Sequence, residues 1–226
     1  MSGTEQAKRE IVLDATEVHD VLSAAWFDRF GSRPDPRSIC LLLAHVALET
    51  GFSKCENYNL GNVKAIVHRD PVTHALVSDH DFVTFRTWEV SPNGDNVPQD
   101  AHFRSFPTMA EGAAFYLGFL FGAFSSCWPA VRAGDPQMFA LLLRQHGYYT
   151  ASLADYTAGM VSRFHFFWMK WVQSSLAELG IECKVDGYGG PETAAAVAQF
   201  QIGANLPPSR VLDAETVTAL IAQVAA

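Results

Sequence analysis

The sequence predicts an α+β fold that is mainly α: a helical body with a small β lobe, followed by a bundle of three short helices. Three observations predict it. Apolar residues recur at helical spacing before residue 50 and again after Thr108. Between them, residues 57–106 lose that period and accumulate Gly, Pro, Asn and Asp. Near the C-terminus, GPETAAAVAQF and DAETVTALIA both place Glu-Thr in the first turn of a short apolar helix.

The first helix is expected over residues 15–30, with Val18, Val21, Leu22, Ala25 and Trp26 on one face. Gly31 to Pro36 is rich in breakers. A second helix is expected from Pro36 to Thr50, closed by Gly51, with Ile39, Leu42, Leu43 and Val46 as its buried stripe. DFVTFRTWEV and AHFRSF alternate well enough for two strands, and SPNGDN between them reads as a turn tightest at Asn93-Gly94. Thr108 and Glu111 have capping-box spacing ahead of AAFYLGFLFGAF. Gly112 to Trp128 is apolar and uncharged; at the lower limit of length for a membrane span, and with Ser125 and Ser126 inside it, it reads as a buried helix. Asp135-Pro136 opens the next helix and Gly147 closes it, and Ser152 with Asp155 caps a further helix that has no breaker before Gly180.

The chain has 226 residues, 49% hydrophobic and 18% charged, so it can bury a core and is not expected to be disordered. A net charge of −8 without a basic patch argues against nucleic acid as target. The first ten residues are polar, so no secretory signal is read there. Cys40, Cys55, Cys127 and Cys183 form no CxxC pair and are expected as reduced thiols, one disulfide being open if the protein matures outside the cytosol.

The stretch LLLAHVALETGFSK carries the chemistry. Glu49 lies at the edge of the apolar stripe and in the last helical turn. Partial desolvation and the negative end of the helix dipole both disfavour a carboxylate there, so its pKa should rise. A carboxyl that keeps its proton near neutral pH can protonate a glycosidic oxygen as the bond breaks. A solvated Glu in a last turn is the bland alternative. His45, four residues earlier on the same face, either touches and tunes Glu49 or is a satisfied core histidine.

These residues resemble the glucosaminidase-type peptidoglycan hydrolases. Ala47-Leu48-Glu49-Thr50-Gly51, followed by Tyr58-Asn59-Leu60-Gly61-Asn62-Val63-Lys64, is similar to that family's helix end and the segment after it, and the likeness spans roughly residues 35–165. It implies a lysozyme-like catalytic domain over 1–165, with Glu49 as general acid. Thr87 to Gly94 is similar in order to the family's hairpin stretch, though it departs in spacing and lacks the Tyr. Glu89 is thereby the candidate base, with Asp79 and Asp81 as rivals. GYYTASLADYTAGM resembles the cleft-lining tyrosine segment, which points to Tyr156 as a catalytic-site residue and Tyr148 as a substrate contact. Asn59 and Lys64 are expected at the cleft floor.

WVQSSLAELGIECKVDGYGGPETAAAVAQFQ resembles the three-helix peptidoglycan-binding module, expected over 168–226; Asp186 and Gly187 shape its loop, and Val197 and Phe200 its core. The resemblances together imply a peptidoglycan hydrolase cutting β-1,4 bonds between GlcNAc and MurNAc. They imply no cofactor or metal, bacterial peptidoglycan as partner, neither nucleic acid nor membrane, and a monomer. The site of action would be the cell wall, reached through holin-type lysis or a dedicated secretion route. Three alternatives stay open: a lytic transglycosylase on the same glycan, a zinc amidase or peptidase using His68, His74, His80 or His102, and an inactive wall-binding protein.

Overall fold

The computed structural model describes residues 3–53, 55–90 and 96–225, with the side chains of 88–90 and 96 outside that description. Two compact units emerge. The first comprises Met1–Pro34 with His45–Trp128, the second Asp35–Ala44 with Pro129–Ala226. Helices dominate and the strands form three small antiparallel pairs, so the structure is α+β and mainly α, in line with the sequence.

In the first unit, α1 (Ala15–Phe30) starts at Asp14, whose carboxylate accepts the backbone N–H groups of Thr16 and Glu17. It buries Val18, Leu22 and Trp26, three of the five residues expected on its inner face. Helix α2 (Pro36–Thr50) has the expected bounds, and the expected stripe of Ile39, Leu42, Leu43 and Val46 is buried, but within a wider set: every residue from Ser38 to Ala47 is buried. A helix buried on all sides needs no amphipathic period, which is why a stripe read from spacing understates it. Gly51 follows in the left-handed region at φ 59°, and its N–H closes on the Ala47 carbonyl.

The β lobe is richer than the sequence reading. Strands β5 (Phe82–Val90) and β6 (Asn96–Arg104) form the anticipated hairpin, with Phe82 opposite Arg104 and Val90 opposite Asn96. The turn assigned to Asn93-Gly94 lies outside the described residues. Strand β6 begins earlier than AHFRSF and carries Pro98, tolerated because each strand of a two-stranded ribbon has an unpaired edge. Two further pairs were not anticipated: β1 (Glu10–Ile11) with β2 (Cys55–Glu56), and β3 (Val67–Arg69) with β4 (Leu76–Ser78). They are two or three residues long, too short for alternation to register.

Helix α3 (Met109–Ala123) is capped by Thr108, whose hydroxyl accepts the Glu111 N–H. The single buried helix expected over Gly112–Trp128 is instead two segments, Met109–Ala123 and Ser125–Ala133, bent by 93°. Phe124 leaves the helical region at φ −122°, ψ 37°, and Ser125-Ser126-Cys127 form one tight turn before α4 (Trp128–Ala133). Among the described residues no single helix is long and apolar enough to cross a membrane.

In the second unit, α5 (Pro136–Gln145) is capped by Asp135 with Pro136 in its first turn, as expected. Helix α6 (Leu153–Glu178) runs 26 residues from the Ser152 cap without a break. The domain boundary expected between 165 and 168 therefore lies inside a helix. The last part of α6 packs with α7 (Pro191–Gly203) and α8 (Ala214–Val224) around Val172, Leu176, Ala196, Val197, Phe200 and Leu220. The bundle of three holds, but its first member is the end of a long helix.

Candidate active site

Glu49 sits in the last full turn of α2. Thr50 next to it returns its hydroxyl to the Val46 carbonyl at 2.7 Å and accepts the Phe52 N–H at 3.2 Å, which fixes the helix end. The Glu49 side chain keeps 15% of its surface accessible, and its Oε1 lies 3.5 Å from Nε2 of His45, one turn back. His45 is completely buried, and its Nδ1 is 2.6 Å from the hydroxyl of Tyr116 on α3. Burial, then the charge of Glu49, holds the Tyr116 phenol well above its ordinary pKa, so it stays a neutral hydroxyl. His45 is thus a core residue that also touches Glu49. Tyr116 was not singled out from the sequence. The signal available was that it is the one hydroxyl in AAFYLGFLFGAF.

The loop after α2 is tightly built. Phe52, Asn57, Tyr58 and Asn62 all take positive φ, between 48° and 57°. Asn57 is fully buried. Its carbonyl accepts the Arg9 N–H at 2.7 Å, and its amide donates to the Ala7 carbonyl and the Ser105 hydroxyl, stapling the N-terminal segment to the end of the β lobe. Nothing in its sequence context marked it out. Asn59 is also buried and closes a ring on Val63, accepting its N–H and donating to its carbonyl, both at 2.9 Å. Lys64 is exposed and pairs as an isolated bridge with Phe103 of β6. Gly112 lets α3 approach this loop: a Cβ there would run into the Tyr58 carbonyl oxygen.

Glu89 stands near the tip of β5, opposite Val97; its side chain is outside the described residues. Of its rivals, Asp81 is committed to the N-terminal segment, accepting the Thr4 N–H at 2.9 Å and the Gln6 amide at 3.1 Å. Asp79 is exposed and acts on Arg104, whose guanidinium burial draws below its ordinary pKa against the pull of that carboxylate.

Tyr148 and Tyr156 belong to the second unit. Tyr156, in the first turn of α6, is 8% exposed and stacks face to face on Tyr149, with ring centroids 3.6 Å apart and planes within 7°. Tyr149, which the sequence reading passed over, anchors the pair by donating its hydroxyl to the Ala140 carbonyl at 2.9 Å. Tyr148 is half-buried. Among the described residues, no group of three His, Cys, Asp or Glu side chains is arranged to hold a metal ion.

Residues 169–220 match the family described as the putative peptidoglycan binding domain. Three solved structures are similar to about two thirds of the chain. A peptidoglycan hydrolase mutant from Sphingomonas sp. A1 is 22% identical, with TM-score 0.42, covering 66% of this chain and 85% of that one. A truncated glycoside hydrolase domain of FlgJ from Salmonella typhimurium is 23% identical, with TM-score 0.42, covering 67% and 95%. The catalytic domain of the autolysin Auto from Listeria monocytogenes is 18% identical, with TM-score 0.45, covering 66% and 79%. A search of curated proteins finds no match.

Inside the matched C-terminal segment, Asp186 receives the Tyr188 N–H and the Gln173 amide and pairs with Lys184 at 3.1 Å, so its carboxyl is held below the usual range, chiefly by that backbone hydrogen bond. Gly187, at φ 80°, completes the loop, and Tyr188 beside it is 70% exposed. Val197 and Phe200 lie in the core, where the sequence places them.

Proposed function

We propose that this chain is a peptidoglycan hydrolase that cleaves β-1,4 glycosidic bonds between GlcNAc and MurNAc, with Glu49 as general acid. The observation that carries the reading is the setting of Glu49: a partly accessible carboxyl at a helix end, backed by a fully buried histidine. An acid in such a place donates its proton to the glycosidic oxygen while the bond to the sugar carbon breaks. Glu89, near the tip of the hairpin, is the base that activates water. Asn59 and Lys64 shape the cleft floor. Residues 1–165 supply catalysis and 168–226 supply retention on the wall. The family match over 169–220 supports peptidoglycan as the polymer held. The protein acts at the bacterial cell wall as a monomer.

Digestion of purified sacculi, with products identified by mass spectrometry, tests the reading. Reducing-end muropeptides from the wild type and none from Glu49→Gln are expected. Free peptides with uncut glycan would replace it with an amidase or peptidase.

A further inference from the structure

We infer that Tyr188, braced by Phe166, is the stacking platform on which the C-terminal module takes the apolar face of an N-acetylhexosamine in the glycan strand. This deepens the proposed function and rests on the module being what holds the wall.

The module builds one loop twice, and the two copies can be matched through their glutamines. Gln173 accepts the Gly187 N–H and donates to the Tyr188 carbonyl. Gln201 accepts the Arg210 N–H and donates to the Val211 carbonyl. Gly187 thus corresponds to Arg210, and Tyr188 to Val211. Gly187 and Arg210 both lie in the left-handed region, at φ 80° and 64°. Arg210 shows that this turn does not by itself demand glycine. A neighbour demands it at Gly187, where a Cβ would meet Cε2 of the Phe166 ring at 2.5 Å. Phe166, on α6, therefore lies against bare loop backbone. Its ring also meets Tyr188 edge to face, with centroids 5.6 Å apart and planes at 66°. Where the first copy presents this aromatic pair, the second presents Val211.

Tyr188 is 70% exposed, yet its backbone is held on both sides. Its N–H donates to the Asp186 carboxylate at 2.9 Å, and its carbonyl accepts the Gln173 amide at 2.9 Å. A large ring displayed on a fixed loop has little freedom left to lose on binding. Its electron-rich face accepts the C–H groups that line one face of a pyranose. The charges nearby favour a neutral sugar face over the carboxylates of a stem peptide. Lys184 pairs with Asp186 at 3.1 Å, and the Glu192 carboxylate accepts the Lys184 N–H at 3.0 Å. The Lys170 ammonium lies 6.0 Å from the centre of the Phe166 ring. Two cations and two carboxylates cancel, so an anionic peptide meets no net attraction here. Phe166 precedes the segment that matches the peptidoglycan-binding family, which begins at residue 169, so the brace comes from outside that segment.

The test uses the full chain and four variants, Tyr188→Ala, Tyr188→Phe, Phe166→Ala and Val211→Ala. Binding is measured by brief co-sedimentation with purified sacculi on ice, and by titration with peptide-free glycan strands and with free stem peptides. Melting temperature checks the fold; Tyr188 and Val211 are both largely exposed, so truncating them removes no core. Wild type should bind sacculi and peptide-free glycan. Tyr188→Ala should bind both on the order of ten-fold more weakly, the scale of losing one aromatic anchor. Phe166→Ala should weaken binding in the same direction but by less. Tyr188→Phe, which keeps the ring, and Val211→Ala, in the second copy, should bind as wild type does. Undiminished binding by folded Tyr188→Ala would overturn the platform, and so would a loss in Tyr188→Phe equal to that in Tyr188→Ala. Wild type that binds free stem peptides but not peptide-free glycan would overturn the sugar as ligand. Wild type that leaves sacculi unbound would instead overturn wall retention by the module, which is a separate failure.

Discussion

Gln173 and Gln201 are both buried, and each holds a loop of the C-terminal module through both ends of its amide. Gln173 accepts the N–H groups of Asp186 and Gly187 at 3.0 and 2.8 Å and donates to the Tyr188 carbonyl and the Thr193 hydroxyl. Gln201 accepts the Arg210 N–H at 3.0 Å and donates to the Val211 carbonyl and the Thr216 hydroxyl. The two Glu-Thr helix starts that echo each other in sequence thus belong to two copies of one loop device. Replacing either Gln by Leu leaves a loop's polar groups without partners, at about 1–3 kcal/mol for each group so stranded. Both variants should melt below wild type and lose retention on sacculi, Gln173→Leu more severely because it strands two N–H groups. Unchanged melting in both would show that the loops stand without them.

The elements legible from sequence were those with a long period or a chemical cap. Asp135-Pro136, Thr108, Ser152 and Gly51 each mark an end that the structure keeps, because a cap is a local hydrogen-bonding event among adjacent residues. The site was legible to the extent that it lies on one helix: His45 and Glu49 are four residues apart. Tyr116 is 71 residues from His45 and Asn57 is 48 from Arg9, so neither contact leaves a trace in spacing. The same holds for Tyr149, whose role depends on a ring seven residues on in another element, and for the break at Phe124, where an unbroken apolar run conceals a bend.

Glu49→Gln should abolish cleavage while the fold and wall retention persist. The amide keeps the shape of the side chain but has no acidic proton to donate, and loss of a general acid costs about 10²–10⁴-fold. Turnover on sacculi and a pull-down on the same sacculi check it together. A variant with more than a tenth of wild-type turnover would remove Glu49 from the mechanism.

Glu89→Gln should cost on the order of 10²-fold if its carboxylate activates water. Product analysis decides what replaces it otherwise. Undiminished activity with 1,6-anhydro ends would make the enzyme a lytic transglycosylase, which uses no attacking water. Undiminished activity with reducing ends would move the base to Asp79, because Asp81 is occupied in anchoring Thr4 and Gln6.

The four thiols should differ in reactivity. Burial pushes Cys40 and Cys55 up to about 12, with Asp35 and Glu56 adding to the effect, and Cys127 is also raised by burial. A group whose pKa stands that high is almost wholly thiol at pH 8, and the thiolate is the reactive form. Cys183 is raised too, yet it alone is not buried. Native labelling with a thiol reagent at pH 8, followed by peptide mass spectrometry, should modify Cys183 and leave the others until denaturant is added. Fast labelling of Cys40 in the native protein would contradict its burial.

The division of labour along the chain can be tested by truncation, provided α6 is respected. A tethered binding module raises the local concentration of the catalytic part at an insoluble polymer and leaves the chemical step alone. Residues 168–226 should therefore bind peptidoglycan by themselves, and residues 1–165 should still cleave short soluble fragments while digesting whole sacculi slowly. A cut at 165 falls inside the 26-residue helix, next to Phe164 and Phe167, which are 8% exposed in the intact chain, and to Trp168. Half a helix deprived of its packing is marginal in water, so that cut can unfold a competent domain. A second truncation near residue 175 keeps Trp168, Trp171 and Val172 on the catalytic side and separates unfolding from loss of binding. The expected result is a folded shorter chain with near-intact turnover on soluble oligomers and reduced turnover on sacculi. A folded truncation that is inactive on soluble oligomers would place part of the active site within the C-terminal module.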